Sequence, residues 1–120
     1  MKEIPFAGLY EKALLVLGFR TVYRIEGDSM APVLNNGEEV LVEEGAQVSI
    51  GDVVIARHPS KEGVEMAKRI TAIDANGKFF LVGDNSDEST DSRRFGPVSL
   101  EYIKGKVTSR LGTVEPPDGK

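Results

Sequence analysis

Hydrophobic positions change their spacing once along the chain. Near the N-terminus Phe6, Leu9, Ala13, Leu14 and Leu17 recur at helical spacing, the pattern of a helix with one apolar face. This predicts a short amphipathic helix within residues 1–20, packed by that face on the domain that follows. From Thr21 the pattern turns to short β runs between turn residues. Thr21 to Glu26 alternates and is rich in β-formers, and Val40 to Val42 and Val53 to Ile55 are compact apolar runs. Val64 to Ile73 and Lys78 to Val82 read as a hairpin around Asn76-Gly77, and Ile103 to Arg110 as one more strand. Asn35-Asn36-Gly37 and Gly51-Asp52 mark further turns. There is no internal repeat. The expected architecture is mostly β, a small barrel-like core over residues 21–112, with the N-terminal helix before it and a flexible tail, 113–120, after it.

Strand alternation gives the hairpin its most telling detail. Val64, Met66, Lys68, Ile70 and Ala72 fall on one face, so Lys68 points where apolar neighbours predict a core. Arg69 falls on the other face. A lysine so placed either snorkels to water from an edge or serves a function.

Composition narrows the chemistry. With 120 residues, a second independent core hardly fits. A net charge of −4 and no cluster of Lys and Arg outweighing its acidic neighbours argue against nucleic acid as a partner. The absence of cysteine excludes a disulfide or a thiolate nucleophile, and a single histidine makes a zinc site unexpected, so no metal or cofactor is predicted. The longest N-terminal apolar run, Ala13 to Phe19, is far short of the roughly 20 residues that span a bilayer, and no small-residue cleavage site follows it. No transmembrane segment is expected, only a weak contact of residues 4–19 with a membrane surface or partner, and the expected location is the cytoplasm.

Two further segments carry candidate chemistry. Gly27-Asp28-Ser29-Met30-Ala31-Pro32 follows the first strand and can expose the Ser29 hydroxyl beside backbone N–H groups. A serine needs a base. His58, in Arg57-His58-Pro59-Ser60, reads as a surface histidine in an exposed loop, which leaves lysine. In water its pKa of about 10.4 leaves almost no neutral amine at pH 7, but burial lowers that value and makes the amine a usable base. The last segment, Gly83 to Gly96, is dense in Asp, Ser and Asn. Arg93 and Arg94 weaken a calcium reading; in a functional one Asp91 pairs with an arginine and Ser89 bonds the lysine amine, aiming it at Ser29.

Ser29-Met30 with Pro32, Lys68-Arg69, Gly83-Asp84-Asn85 and Ser89-Thr90-Asp91-Ser92-Arg93 together resemble the signature of the type I signal peptidase family of serine–lysine peptidases, with order and spacing kept from about Ile25 to Val107. Gly51-Asp52-Val53-Val54 also looks like the family. The resemblance implies that Ser29 attacks the scissile carbonyl while Lys68 takes its proton, and that the backbone N–H of Ser29 helps hold the oxyanion. It also implies that Ser89 orients Lys68, and that Asp91 with Arg93 and Arg69 braces the loop. Gly27 and Asp28 count as support around the oxyanion site, Met30 and Pro32 as substrate-binding residues. Many family members carry a serine where this chain has Gly27, so that hydroxyl donor is missing here. No segment of these residues reads as the bacterial enzymes' membrane anchor or inserted β domain, so neither is expected.

The compact form, together with Val54-Ile55-Ala56-Arg57-His58-Pro59, resembles the nickel-type superoxide dismutase maturation proteases. The expectation is therefore an endopeptidase that frees the dismutase precursor of its N-terminal leader. The alternatives are a small anchorless signal peptidase with a membrane partner, a self-cleaving repressor-like domain cutting at Ala7-Gly8, and an inactive peptide-binding module on the same fold.

Overall fold

Val53-Val54-Ile55-Ala56 is apolar at every position, and such a strand must be covered on both faces. In the computed structural model, which describes residues 2–113, this run becomes β3 (Val53–Arg57), inside a six-stranded antiparallel sheet. The sheet order is β1-β2-β6-β3-β4-β5, with β1 Thr21–Arg24, β2 Glu38–Glu44, β4 Glu65–Ile73, β5 Phe79–Val82 and β6 Ile103–Thr113. The mostly β expectation holds, and the predicted hairpin is β4 and β5. Of the predicted tail, 113–120, Thr113 instead ends β6 opposite Glu38, and the rest lies outside the described residues.

Each face of β3 has its own core. Val53 and Ile55 join Ile25, Met30, Leu34, Val40, Val42, Ala67 and Val107 on one side. Val54 and Ala56 join Ile70, Phe79, Leu81 and Val98 on the other. The sheet curls enough to bring its first edge back over β4, where the Tyr23 hydroxyl donates to the Glu65 carbonyl at 3.3 Å. That curl makes the cleft described below.

Two sequence expectations are corrected. The helix α1 (Leu9–Val16) forms, but the face chosen by hydrophobic spacing does not pack on the domain. Leu9 and Val16 are 87% and 85% exposed, and Phe6, Tyr10, Leu17 and Phe19 also face outward. The helix is held instead by Glu11, whose carboxylate accepts from Thr108 Oγ1 (2.6 Å), Ser109 Oγ (2.9 Å) and the Arg20 guanidinium, while Leu14 and Leu15 are half-buried beside it. Four charge-assisted bonds to one partly buried carboxylate outweigh a few exposed apolar side chains in setting the helix rotation.

On β4, Lys68 and Ile70 are buried as alternation predicted, but Ala72 is exposed, as is Val64 just before the strand, and Arg69 is buried too. A register shift between Ile70 and Ala72 ends the alternation, and β4 is buried on both faces only over Ala67 to Ile70.

Candidate active site

Ser29 stands in the turn that leaves β1. Met30 anchors this turn: its side chain is in the core, and its sulfur accepts from the Asp84 N–H at 3.4 Å. On the other side the Ser29 carbonyl accepts from the Asn85 N–H (2.8 Å), and the Asn85 side-chain amide donates to the Asp28 carbonyl (3.0 Å). Two loops distant in sequence thus clamp the serine backbone, while the Ser29 N–H has no acceptor among the described residues. Gly27 adopts φ +82°, a left-handed conformation that a serine there would enter only with strain, so the family's hydroxyl donor does not suit this backbone. Gly83 is needed for closeness. A Cβ on it would lie 2.3 Å from Ser89 Oγ and 2.6 Å from the Ser29 carbonyl oxygen.

Lys68 is 4% exposed, on the β4 face shared with Val54 and Ile70. Its amine donates to Ser89 Oγ at 2.9 Å, and the Ser89 hydroxyl donates to Asp91 Oδ2 at 2.5 Å. Because the Ser89 proton is committed to Asp91, the oxygen can only accept from the amine. One N–H of Lys68 is thereby fixed, and a neutral amine turns its lone pair elsewhere. Burial pushes the Lys68 amine below the usual lysine range; the nearby Asp91 charge opposes this and Arg93 adds to it.

Asp91 is 1% exposed and accepts from Gly83 N–H (2.9 Å), Ser89, the Arg93 N–H and the Arg93 guanidinium, which bonds both oxygens at 2.9 and 2.7 Å. Burial alone would raise its pKa. These donors win and hold the carboxyl well below the usual range. The Asp91–Arg93 pairing is the one expected. Arg69 departs from expectation: it forks onto Asp84 (2.9 and 2.8 Å) and donates to the carbonyls of Gly51 (2.7 Å) and Lys2 (3.0 Å). It braces the Gly83-Asp84-Asn85 stretch from behind, away from Asp91.

Ser29 and Lys68 line one cleft of about 230 Å³, walled by Tyr23, Glu26, Gly27, Asp28, Glu65, Met66, His58 and Thr90 among others. Of the predicted substrate-binding residues Met30 touches this cleft, whereas Pro32 lines a separate hollow with Ile4 and Arg69. Sequence reading missed Asp84 and Asn85 as supports, Tyr23 and Thr90 as walls, and above all His58. Expected as a surface side chain in an exposed loop, His58 is partly buried and lines the cleft. Burial and the Tyr23 neighbours Glu65 and Glu26 push that phenol up to about 12, keeping it protonated as a wall of the cleft.

The fold and cleft carry the parts of a hydrolytic acyl-transfer site: a hydroxyl, a buried amine, an unpaired amide and a groove. Residues 16–108 match the Peptidase S24-like family, and the chain belongs to that family. The chain is 34% identical to mitochondrial inner membrane protease subunit 1 of Schizosaccharomyces pombe, over 92% of this chain and 87% of that protein. It is 29% identical to the Xenopus tropicalis subunit 1 (74% and 67%) and 32% identical to the mitochondrial ATP-independent inner membrane protease subunit 1a of Arabidopsis thaliana (72% and 67%). These relatives support peptidase activity and correct two expectations. They are proteases of a membrane, which overturns the cytoplasmic location, and they give no support to a dismutase maturation protease. No described helix is long and apolar enough to cross a membrane.

Proposed function

We propose that this chain is a serine endopeptidase that removes N-terminal leaders from precursor proteins at a membrane surface, with Ser29 as nucleophile and Lys68 as general base. The observation that carries the reading is the buried Lys68 amine, tied by one N–H to Ser89 and sharing a cleft with Ser29. Neutral Lys68 takes the Ser29 proton as the hydroxyl attacks the scissile carbonyl; the free Ser29 N–H donates to the resulting oxyanion. Lys68 then returns the proton to the leaving amine, and water, activated by the same amine, hydrolyses the acyl-enzyme. Ser89 and Asp91 keep the amine on line throughout.

The relatives, named as inner membrane protease subunits, favour precursors that are cut where they emerge at a membrane. The outward apolar side of α1 supports the same location. It places Leu9, Tyr10, Val16 and Leu17 in water with nothing described to cover them, an arrangement suited to lying in a lipid interface.

Mass spectrometry tests this directly. Wild type and Ser29→Ala would be incubated, with and without anionic lipid vesicles, with leader-bearing membrane precursors from the same genome and with its nickel superoxide dismutase precursor, where one exists. Loss of a defined leader from a membrane precursor, by the wild type alone and faster with vesicles, is the expected result. Cleavage of the dismutase precursor only would return the substrate to the dismutase. No cleavage of any precursor would sink the reading.

A further inference from the structure

We infer that His58 is a substrate-contacting residue of the cleft, its Nε2–H donating to a backbone carbonyl of the bound polypeptide; the inference rests on the endopeptidase reading above. The residue follows β3, where its N–H donates to the Val64 carbonyl at 2.8 Å and closes the base of the loop to β4. Its ring is fixed from one side. Nδ1 accepts the N–H groups of Ser60 and Lys61, both at 3.1 Å, so in this loop the imidazole plays the part a carboxylate oxygen plays in an Asx turn. The ring edge rests on Phe95, with centroids 5.2 Å apart at 61°.

This anchoring decides the tautomer. A nitrogen that accepts two amide protons carries none of its own, so the neutral ring holds its proton on Nε2. Nε2 has no hydrogen-bond partner among the described residues, and the ring lines the cleft with Ser29 and Lys68. Protonating Nδ1 would cost both amide bonds, and burial with the charges of Lys61 and Lys68 also disfavours the cation. The cleft therefore presents a fixed, uncharged N–H donor. An extended peptide offers a carbonyl oxygen at every residue, the acceptor such a donor matches. His58 does not act as the base for Ser29: it makes no bond to Lys68 or Ser29, and its basic nitrogen is turned into the loop.

Two replacements separate its two edges. In His58→Asn the Oδ1 can still accept from Ser60 and Lys61, but the donor in the cleft is gone. In His58→Gln the amide N–H₂ reaches about as far as Nε2, while the loop loses its acceptor. With a precursor cleaved by the wild type, His58→Asn is expected to lose roughly 3- to 10-fold in kcat/KM, chiefly through KM, at unchanged melting temperature, the range of one neutral hydrogen bond. His58→Gln should stay within about two-fold of wild type in kcat/KM but melt lower. Equal kcat/KM for wild type and His58→Asn would overturn the inference with the peptidase reading intact. Nitrogen-15 NMR of the imidazole at neutral pH needs no turnover. A proton on Nε2 and a bare Nδ1 are expected, and a proton on Nδ1 would overturn the inference even if no precursor were cleaved.

Discussion

Lys68 and Arg69 are consecutive cations on β4, each 4% exposed, and they face opposite sides of the sheet. Their surroundings differ completely. The Arg69 guanidinium meets a carboxylate in a two-pronged pair with Asp84 and two backbone carbonyls, so its charge is matched and its donors are used. Lys68 meets one hydroxyl. The carboxylate whose charge it feels, Asp91, is already bound to Ser89, Arg93 and the Gly83 amide. The first arrangement uses every donor direction it meets and makes the side chain a strut. The second leaves an amine short of compensation, which favours its neutral form. Two equally buried basic side chains on one strand thus sit in opposite surroundings, one fully matched and one left short of compensation.

The largest effect expected of this contrast comes from replacing each by methionine. Lys68→Met should abolish cleavage, a drop of about 10⁴-fold or more, while leaving the melting temperature equal or raised, because a poorly compensated amine gives way to an apolar side chain of similar length. Arg69→Met should do the reverse in kind. It strands the Asp84 carboxylate, itself buried, and a loss of about 3–5 kcal/mol is expected from denaturant unfolding. The contrast breaks if Lys68→Met is the less stable of the two, since Lys68 would then be structural.

A middle-sized effect belongs to Ser89, the single bond that separates Lys68 from an undirected amine. Ser89→Ala should lower kcat by about 10- to 100-fold with KM little changed, the scale on which a misplaced catalytic group is felt. Ser89→Thr keeps the hydroxyl but adds a methyl beside Gly83, where space is already short, and should recover only part of the rate. If Ser89→Ala cleaves at the wild-type rate, the hydroxyl does not orient the amine.

Which of these features were legible beforehand follows from the physics that made each. Lys68 could be read because period-two alternation and the apolar Met66 and Ile70 are local facts of one strand. The Asp91–Arg93 pair could be read because both residues lie two apart in one loop. Burial of Arg69 could not: it depends on covering β4 from the other side, where Gly51 and Lys2 supply carbonyls from remote parts of the chain. Hydrophobic spacing in α1 gave the right element and the wrong rotation, since it contains no information about Thr108 and Ser109, the distant hydroxyls that hold Glu11. The place of His58 in the cleft could not be read from Pro59, which marks a turn whichever way the ring points. The local signal was there in Ser60 and Lys61, whose amides follow at the spacing of a side-chain-capped turn.

The smallest effect is also the cleanest measure of the Lys68 environment. An unfolded chain keeps this amine protonated up to about pH 10.4, whereas burial makes the folded chain release the proton at a lower pH. Between those two values the unfolded state binds more protons, so folding stability gains from this group as pH rises and loses it again as pH falls through the folded value. The slope cannot exceed about 1.4 kcal/mol per pH unit for one proton. Other groups titrate in the same range, and subtracting the stability curve of Lys68→Met removes them. The wild-type-minus-variant difference should therefore climb with pH on the alkaline side and flatten above the unfolded lysine value. Arg69→Met, which leaves Lys68 in place, should give no such climb relative to wild type. The acid limb of kcat/KM should fall at the pH where the Lys68 difference curve begins to rise, since the free enzyme's base governs both. A flat difference curve would mean that Lys68 stays protonated in the fold, and it would then resemble Arg69 after all.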